Sequence, residues 1–102
     1  MIQHCVFLNL KQNVNLADVG KVMSALSDLM AQIDGFKDLK FGQNLDFENK
    51  SKDYGYGFIA TFADQKALQQ YADNHQHIAL GSQLVEMCVN GSEGIIVFDL
   101  SV

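Results

Sequence analysis

Proline and tryptophan are absent from this chain, and cysteine occurs only twice, as Cys5 and Cys88. The two thiols form no CxxC pair, and there is no HExxH helix and no glycine-rich phosphate loop. The strongest sequence signs of zinc, redox and nucleotide chemistry are therefore missing. Nothing in the spacing of Cys5 and Cys88 requires a disulfide, and each reads as a small buried hydrophobe of a reducing compartment. Lysine and arginine together number seven against twelve acids, for a net charge of −5. Basic residues spread singly make no patch, which excludes nucleic acid and anionic membrane surfaces as partners. No apolar run approaches the ~20 residues of a membrane span. The opening Met1-Ile2-Gln3-His4-Cys5-Val6-Phe7 lacks the basic start and long apolar core of a signal peptide, so the expected setting is the cytoplasm.

What is present suits one domain spanning residues 1–102. The chain is 48% apolar and has the length for a single core. Ile2 to Leu10 alternates, with Ile2, His4, Val6, Leu8 and Leu10 on one face and Gln3, Cys5, Phe7 and Asn9 on the other, as a strand does. Asn15 can cap a helix in which Leu16, Val19, Val22, Met23, Leu26, Leu29, Met30 and Ile33 trace one apolar stripe, stopped by Gly35. Phe36 to Phe47 fits a weaker second strand, followed by a polar loop over Glu48 to Asp53. Tyr54, Tyr56, Phe58, Ala60 and Phe62 make the aromatic face of a third strand, whose other face is nearly bare and open to close approach. Asp64 caps a short helix carrying Ala67, Leu68 and Tyr71, interrupted at Asn74 and His75. A second helical pattern then runs through His77, Leu80, Gly81, Leu84, Val85 and Cys88. Ile95 to Leu100 closes the chain as an almost wholly apolar strand.

The order β, α, β, β, two helical pieces, β is the split β-α-β arrangement. It predicts an α+β, ferredoxin-like fold, a four-stranded antiparallel sheet with helices on one face. Phe7, Cys5 and the last strand leave the opposite face too apolar for water, and a sheet of this size buries such a face against a second copy of itself. A homodimer through the sheet face is expected.

Chemistry concentrates in Tyr71 to Gly81, which holds two of the three histidines and a tyrosine. His77 shares a helical face with Leu80, Gly81 and Leu84, where desolvation favours a neutral, basic imidazole. Two readings stand open: a base that removes a proton alpha to a carbonyl while the Tyr71 hydroxyl steadies the enolate oxygen, or a helix-start histidine bonded to backbone. Tyr71 is equally a core aromatic whose hydroxyl finds a partner at the rim. His4, set among aliphatic residues, must have a hydrogen-bond partner; Lys11 and Asp99 read as strand ends. His75 and His77, two residues apart, face different ways on a helix, so zinc is not expected and no cofactor is called for.

The residues also carry a family resemblance. Met1-Ile2-Gln3-His4-Cys5-Val6 with Lys11, Ile33-Asp34-Gly35, Gly42-Gln43-Asn44, Phe62-Ala63-Asp64 with Ala67-Leu68 and Tyr71, His77, and Val97-Phe98-Asp99 occur in the order and spacing of the stress-responsive dimeric α/β-barrel (Dabb) family. The resemblance implies two sheets packed face to face as a dimeric barrel, with a pocket in each subunit between helices and sheet. In a plant polyketide cyclase of the family, a histidine matching His77 acts as base with help from a tyrosine matching Tyr71, and a strand-one histidine matches His4. The pocket lining would map onto Val22, Met23, Leu26, Phe58 and Ile95. The chain departs from the family where Asp34 and His75 stand at usual proline positions, which loosens the join between the two later helices, and where Asn74 stands for a histidine. The resemblance implies a small, largely apolar ligand and cofactor-free His/Tyr acid–base chemistry of a cyclase or isomerase kind. The alternatives are a non-catalytic structural or stress protein, or an enzyme like the antibiotic-biosynthesis monooxygenases. The missing tryptophan and the Tyr71–His77 spacing speak against the last.

Overall fold

A computed structural model describes all residues, 1–102. Its strands are β1 (Ile2–Leu8), β2 (Phe36–Gln43), β3 (Tyr56–Phe62) and β4 (Ile95–Ser101), and its helices α1 (Leu16–Asp28), α2 (Gln65–Asp73) and α3 (His75–Met87). The sheet runs β2-β3-β1-β4, antiparallel at every pairing. This is the four-stranded antiparallel sheet with helices on one face that the element order implies.

The period-two pattern of β1 sets the two faces. His4, Val6 and Leu8 lie opposite Ala60, Phe58 and Tyr56 of β3 and opposite Asp99, Val97 and Ile95 of β4. Residues directly across a pair share a face, so these form the inner face toward the helices. Cys5 and Phe7, with Ile59, Ile96, Phe98 and Leu100, fall on the outer one. The third strand's bare side is occupied within the subunit, because a Cβ on Gly57 would lie 2.8 Å from the Phe7 ring.

The helices start as their caps direct. Asn15 accepts from Ala17 N at 2.9 Å, and Asp64 from Ala67 N at 2.9 Å. The apolar stripe to Ile33 is not one continuous helix. After Asp28 the chain tightens into a 3₁₀ turn over Leu29–Ala31, which redirects it toward Gly35 at φ +90° and the start of β2. Asn74 does what the missing proline does not. Its backbone leaves the helical region at ψ 130°, and its side chain accepts from Gln76 N at 2.9 Å and His77 N at 3.1 Å. Gln32 Nε2 donates to Gln76 Oε1 at 2.8 Å and ties the end of the α1 segment to the start of α3. Where the family has a proline ring, this join carries side-chain amide hydrogen bonds.

The core includes Val19, Val22, Met23 and Leu26 of α1, packed on Phe36, Phe58, Ala60 and Phe62 of the sheet and on Tyr71 and Leu84. Leu45, counted above as a second-strand position, lies beyond the end of β2 and is 90% exposed. β3 begins at Tyr56, two residues later than its aromatic alternation suggested. No helix is long and apolar enough to cross a membrane.

Two glycines of opposite character test this packing. A Cβ on Gly35 would add left-handed strain and lie 2.8 Å from Ala67 Cβ, whereas one on Gly20, inside α1, meets nothing within 4 Å. Gly35→Ala is expected to lower the unfolding free energy by about 2 kcal/mol. Gly20→Ala is expected to raise it by about 0.5 to 1 kcal/mol. Urea denaturation of the two variants beside the parent checks both signs.

Candidate functional site

A groove of about 610 Å³ opens between α3 and the inner face of the sheet. His4 and Val6 of β1, Phe58 of β3, and Ile95 and Val97 of β4 form its floor. Ile78, Gly81, Ser82, Val85 and Glu86 of α3 form its opposite wall, and His77 stands at its end. Gly81 has no side chain to fill the space beside the histidines, and a Cβ placed there would touch nothing within 4 Å.

Each imidazole is held through Nδ1. His4 Nδ1 lies 2.5 Å from Asp99 Oδ1, with the His4 side chain 15% and Asp99 45% exposed. The carboxylate accepts the Nδ1 proton, which leaves Nε2 as the free ring nitrogen. His77 Nδ1 lies 3.4 Å from the Ala72 carbonyl, a long contact that selects the same tautomer. Burial depresses the basicity of His77, the Ala72 carbonyl opposes that, and any charge on the nearby His4 adds to it. His77 is therefore neutral at pH 7.

Tyr71 joins the two histidines. Its ring centroid is 4.1 Å from that of His77 and 5.8 Å from that of His4. Behind it the stacked Phe36 and Phe62 rings, 4.7 Å apart, lie 5.3 and 5.0 Å from the tyrosine. The aromatic block fixes the tyrosine and the tyrosine backs His77. Its hydroxyl was expected at the rim with a partner. Instead it is buried with no hydrogen-bond partner, and desolvation lifts its ionisation far above the usual phenol range.

The structure thus brings His4, Tyr71 and His77 together, and Phe58 and Ile95 line the groove. Val22, Met23 and Leu26 do not. They are at most 3% exposed, turned into the core beneath α1, because the groove opens along α3 instead. His75 lies on the exposed side of α3. Asp99 is more than a strand end, since pairing of β4 against β1 puts it opposite His4. The signal was the alternation Ile95, Val97, Asp99, which lies across from Leu8, Val6 and His4 once the strands are antiparallel; the apolar look of the last strand concealed it. No cluster of three or more His, Cys, Asp or Glu side chains forms.

The fold and groove define a class: a ferredoxin-like α+β protein with a paired-histidine groove between its last helix and its sheet. The model of the Stress responsive A/B Barrel Domain matches residues 2–102, and the chain belongs to that family. Among solved structures it is similar to a dimeric ferredoxin-like protein of unknown function from Jannaschia sp. CCS1, at 38% identity and TM-score 0.93 over 99% of this chain and 98% of that one. The fold is shared with a hydroxynitrile lyase from Passiflora edulis (14% identity, TM-score 0.80, 99% and 92% covered). It is also shared with SnoaB, a cofactor-independent oxygenase from Streptomyces nogalater (14% identity, TM-score 0.76, 99% and 91% covered). No protein of curated function matches the chain.

Two outcomes follow from the geometry. A depressed folded-state pKa means that the unfolded chain holds the His77 proton more tightly. Stability linked to His77 is then complete above its ordinary pKa of about 6.5 and falls as pH drops through that value and below. His77→Gln should flatten the corresponding part of the pH dependence of unfolding, and the His77 ring resonances should titrate below the ordinary midpoint. Tyr71→Phe removes an unsatisfied buried hydroxyl and should stabilise the fold by roughly 1 kcal/mol, measured by chemical denaturation.

Proposed function

We propose that this protein is a homodimer, closed through the outer sheet faces, that binds a small, largely apolar carbonyl compound in the α3–sheet groove and catalyses proton transfer on it without a cofactor. The observation that carries this reading is the lining of the groove. Its polar groups are two imidazoles presented on an apolar surface, with Ser82 and Glu86 on the helical wall. A neutral His77 can take a proton alpha to a carbonyl through Nε2. His4, its Nδ1 held by Asp99, can when protonated donate its Nε2 hydrogen to the oxygen on which charge develops.

Of the two roles open to Tyr71, this reading takes the core aromatic. Tyr71 is not among the groove-lining residues and its hydroxyl is buried without a partner, so in this reading the ring supports His77 and the chemistry rests on the two histidines. Relatives that share the fold include a lyase and an oxygenase, and a shared fold does not select one reaction. The dimer is supported by the Jannaschia protein, described as dimeric, and by the apolar outer face, where Phe98 and Leu100 are each 53% exposed.

The test is solvent exchange. Aryl ketones and β-diketones incubated with the protein in D₂O should take up deuterium at the alpha carbon faster than in buffer, as read by proton NMR. His77→Ala should slow that exchange by ~100-fold or more while leaving assembly and melting temperature in place. Saturable binding without exchange would make the groove a ligand site alone. Absence of both binding and exchange across the panel would remove this reading.

A further inference from the structure

The loop between β2 and β3 is built with unusual care for a segment that forms no part of the core. Asp46 Oδ1 accepts from Lys50 N at 2.8 Å, from Ser51 N at 2.9 Å and from Ser51 Oγ at 2.9 Å. Asn44 Nδ2 donates to Ser51 Oγ at 2.8 Å and to the Tyr54 carbonyl at 2.7 Å, while Asn44 Oδ1 accepts from Asp46 N at 2.9 Å. Asp46 and Asn49 both hold left-handed backbone, at φ 46° and 56°. A little desolvation works against the Asp46 carboxylate, but the Lys50 and Ser51 donors outweigh it and hold the group ionised. What this scaffold displays is apolar. Leu45 is 90% exposed and Phe47 87%, one on each side of the locked Asp46.

The same loop stands over the outer face of the sheet. Lys50 to Tyr54 wall a cavity of about 520 Å³, with Phe7, Ile96 and Phe98 of that face on its other side. One chain therefore carries both halves of a self-complementary contact: a pair of rigid apolar knobs, and an apolar hollow on the face that continues to Phe98 and Leu100. Complementary halves on one surface are what a two-fold axis requires, since each copy then gives and receives the same contact. A knob fixed in advance loses little freedom on docking, so its burial goes into association.

We propose that the Asn44–Tyr54 loop is a clasp, in which Leu45 and Phe47 of one copy seat on the outer sheet face of a second copy. This rests on the dimer reading above and adds the segment that grips. Because both side chains are exposed in the subunit, replacing them removes no core contact, and their loss is read in association alone.

Sedimentation velocity over a concentration series tests it on the full chain. Leu45→Ser with Phe47→Ser should weaken dimerisation on the order of a hundredfold, roughly tenfold or more for each apolar side chain, with the far-ultraviolet spectrum of the dissociated protein unchanged. Asp46→Ala, which releases the loop, should weaken it in the same direction. Phe98→Asp is the control for the face itself. Dissociation by Phe98→Asp but not by the loop pair would overturn the clasp and keep the dimer. A wild-type monomer would overturn both, and a dimer indifferent to all three changes would overturn the clasp and the outer-face contact together. A photoreactive benzoylphenylalanine at position 47 should also crosslink between copies to β1 or β4; crosslinks to the helices would overturn the clasp.

Discussion

The antiparallel register of β1 against β4 is the constraint on which the site depends. It places His4 across from Asp99, Val6 across from Val97 and Leu8 across from Ile95. A slip by one residue would turn Asp99 to the outer face, leave the His4 Nδ1 proton without its acceptor and put Phe98 into the groove. The register is held at both ends. Met1 N and the Val102 carbonyl bond at 3.0 Å, and Val102 N donates to the Met1 carbonyl at 2.9 Å. At the other end Asn9 N donates to the Gly94 carbonyl at 2.8 Å. Gly94 also lies tight against Val89, where a Cβ would fall 2.3 Å from the carbonyl oxygen.

A second constraint meets the first at Tyr71. The ring is 1% exposed and packs on Phe36, Phe62, His4 and His77. The helix that carries it, the capped break at Asn74 and the β1 histidine are thereby locked to one another. An orphaned hydroxyl is the cost of using tyrosine at that point. Where sequence logic breaks locally in this way, the surrounding packing over-determines the position, a pattern common near functional sites. The groove inherits its rigidity from this block and its polarity from the two imidazoles.

The two faces of the sheet have different work. The inner face carries the core and, between α3 and β4, the groove. The outer face carries Cys5, Phe7, Ile59, Ile96, Phe98 and Leu100, too apolar to stay in water. Burial pushes the pKa of the Cys5 thiol up, with the Asp99 charge adding to that, so Cys5 stays protonated. The β2–β3 loop reaches over that same face, so a clasp and a sheet-to-sheet contact would form one continuous surface.

Much was legible from the residues because it depends on period and on capping, which are local. The strand alternation of β1, the apolar stripe of α1, the Asn15 and Asp64 caps and the β-α-β-β-α-β order needed no knowledge of the fold, and together they defined it. His77 and Tyr71 could be singled out because they lie six residues apart across one helix break. Other features required tertiary structure. Asp99 becomes a partner of His4 only when strands 95 residues apart pair. The family resemblance mapped Val22, Met23 and Leu26 onto a pocket lining, whereas here they are buried in the core; periodicity says which face is buried and not what lies above it. The groove lies between α3 and the sheet, a placement no short window contains. Nor could the Tyr71 hydroxyl's isolation be read in advance, since a missing partner depends on every element around it. The sequence by itself determined the elements, their order and their apolar faces, because backbone propensity and hydrophobic period act over a few residues. The tertiary structure alone decided which polar groups meet, because that depends on strand register and helix angle across the whole chain.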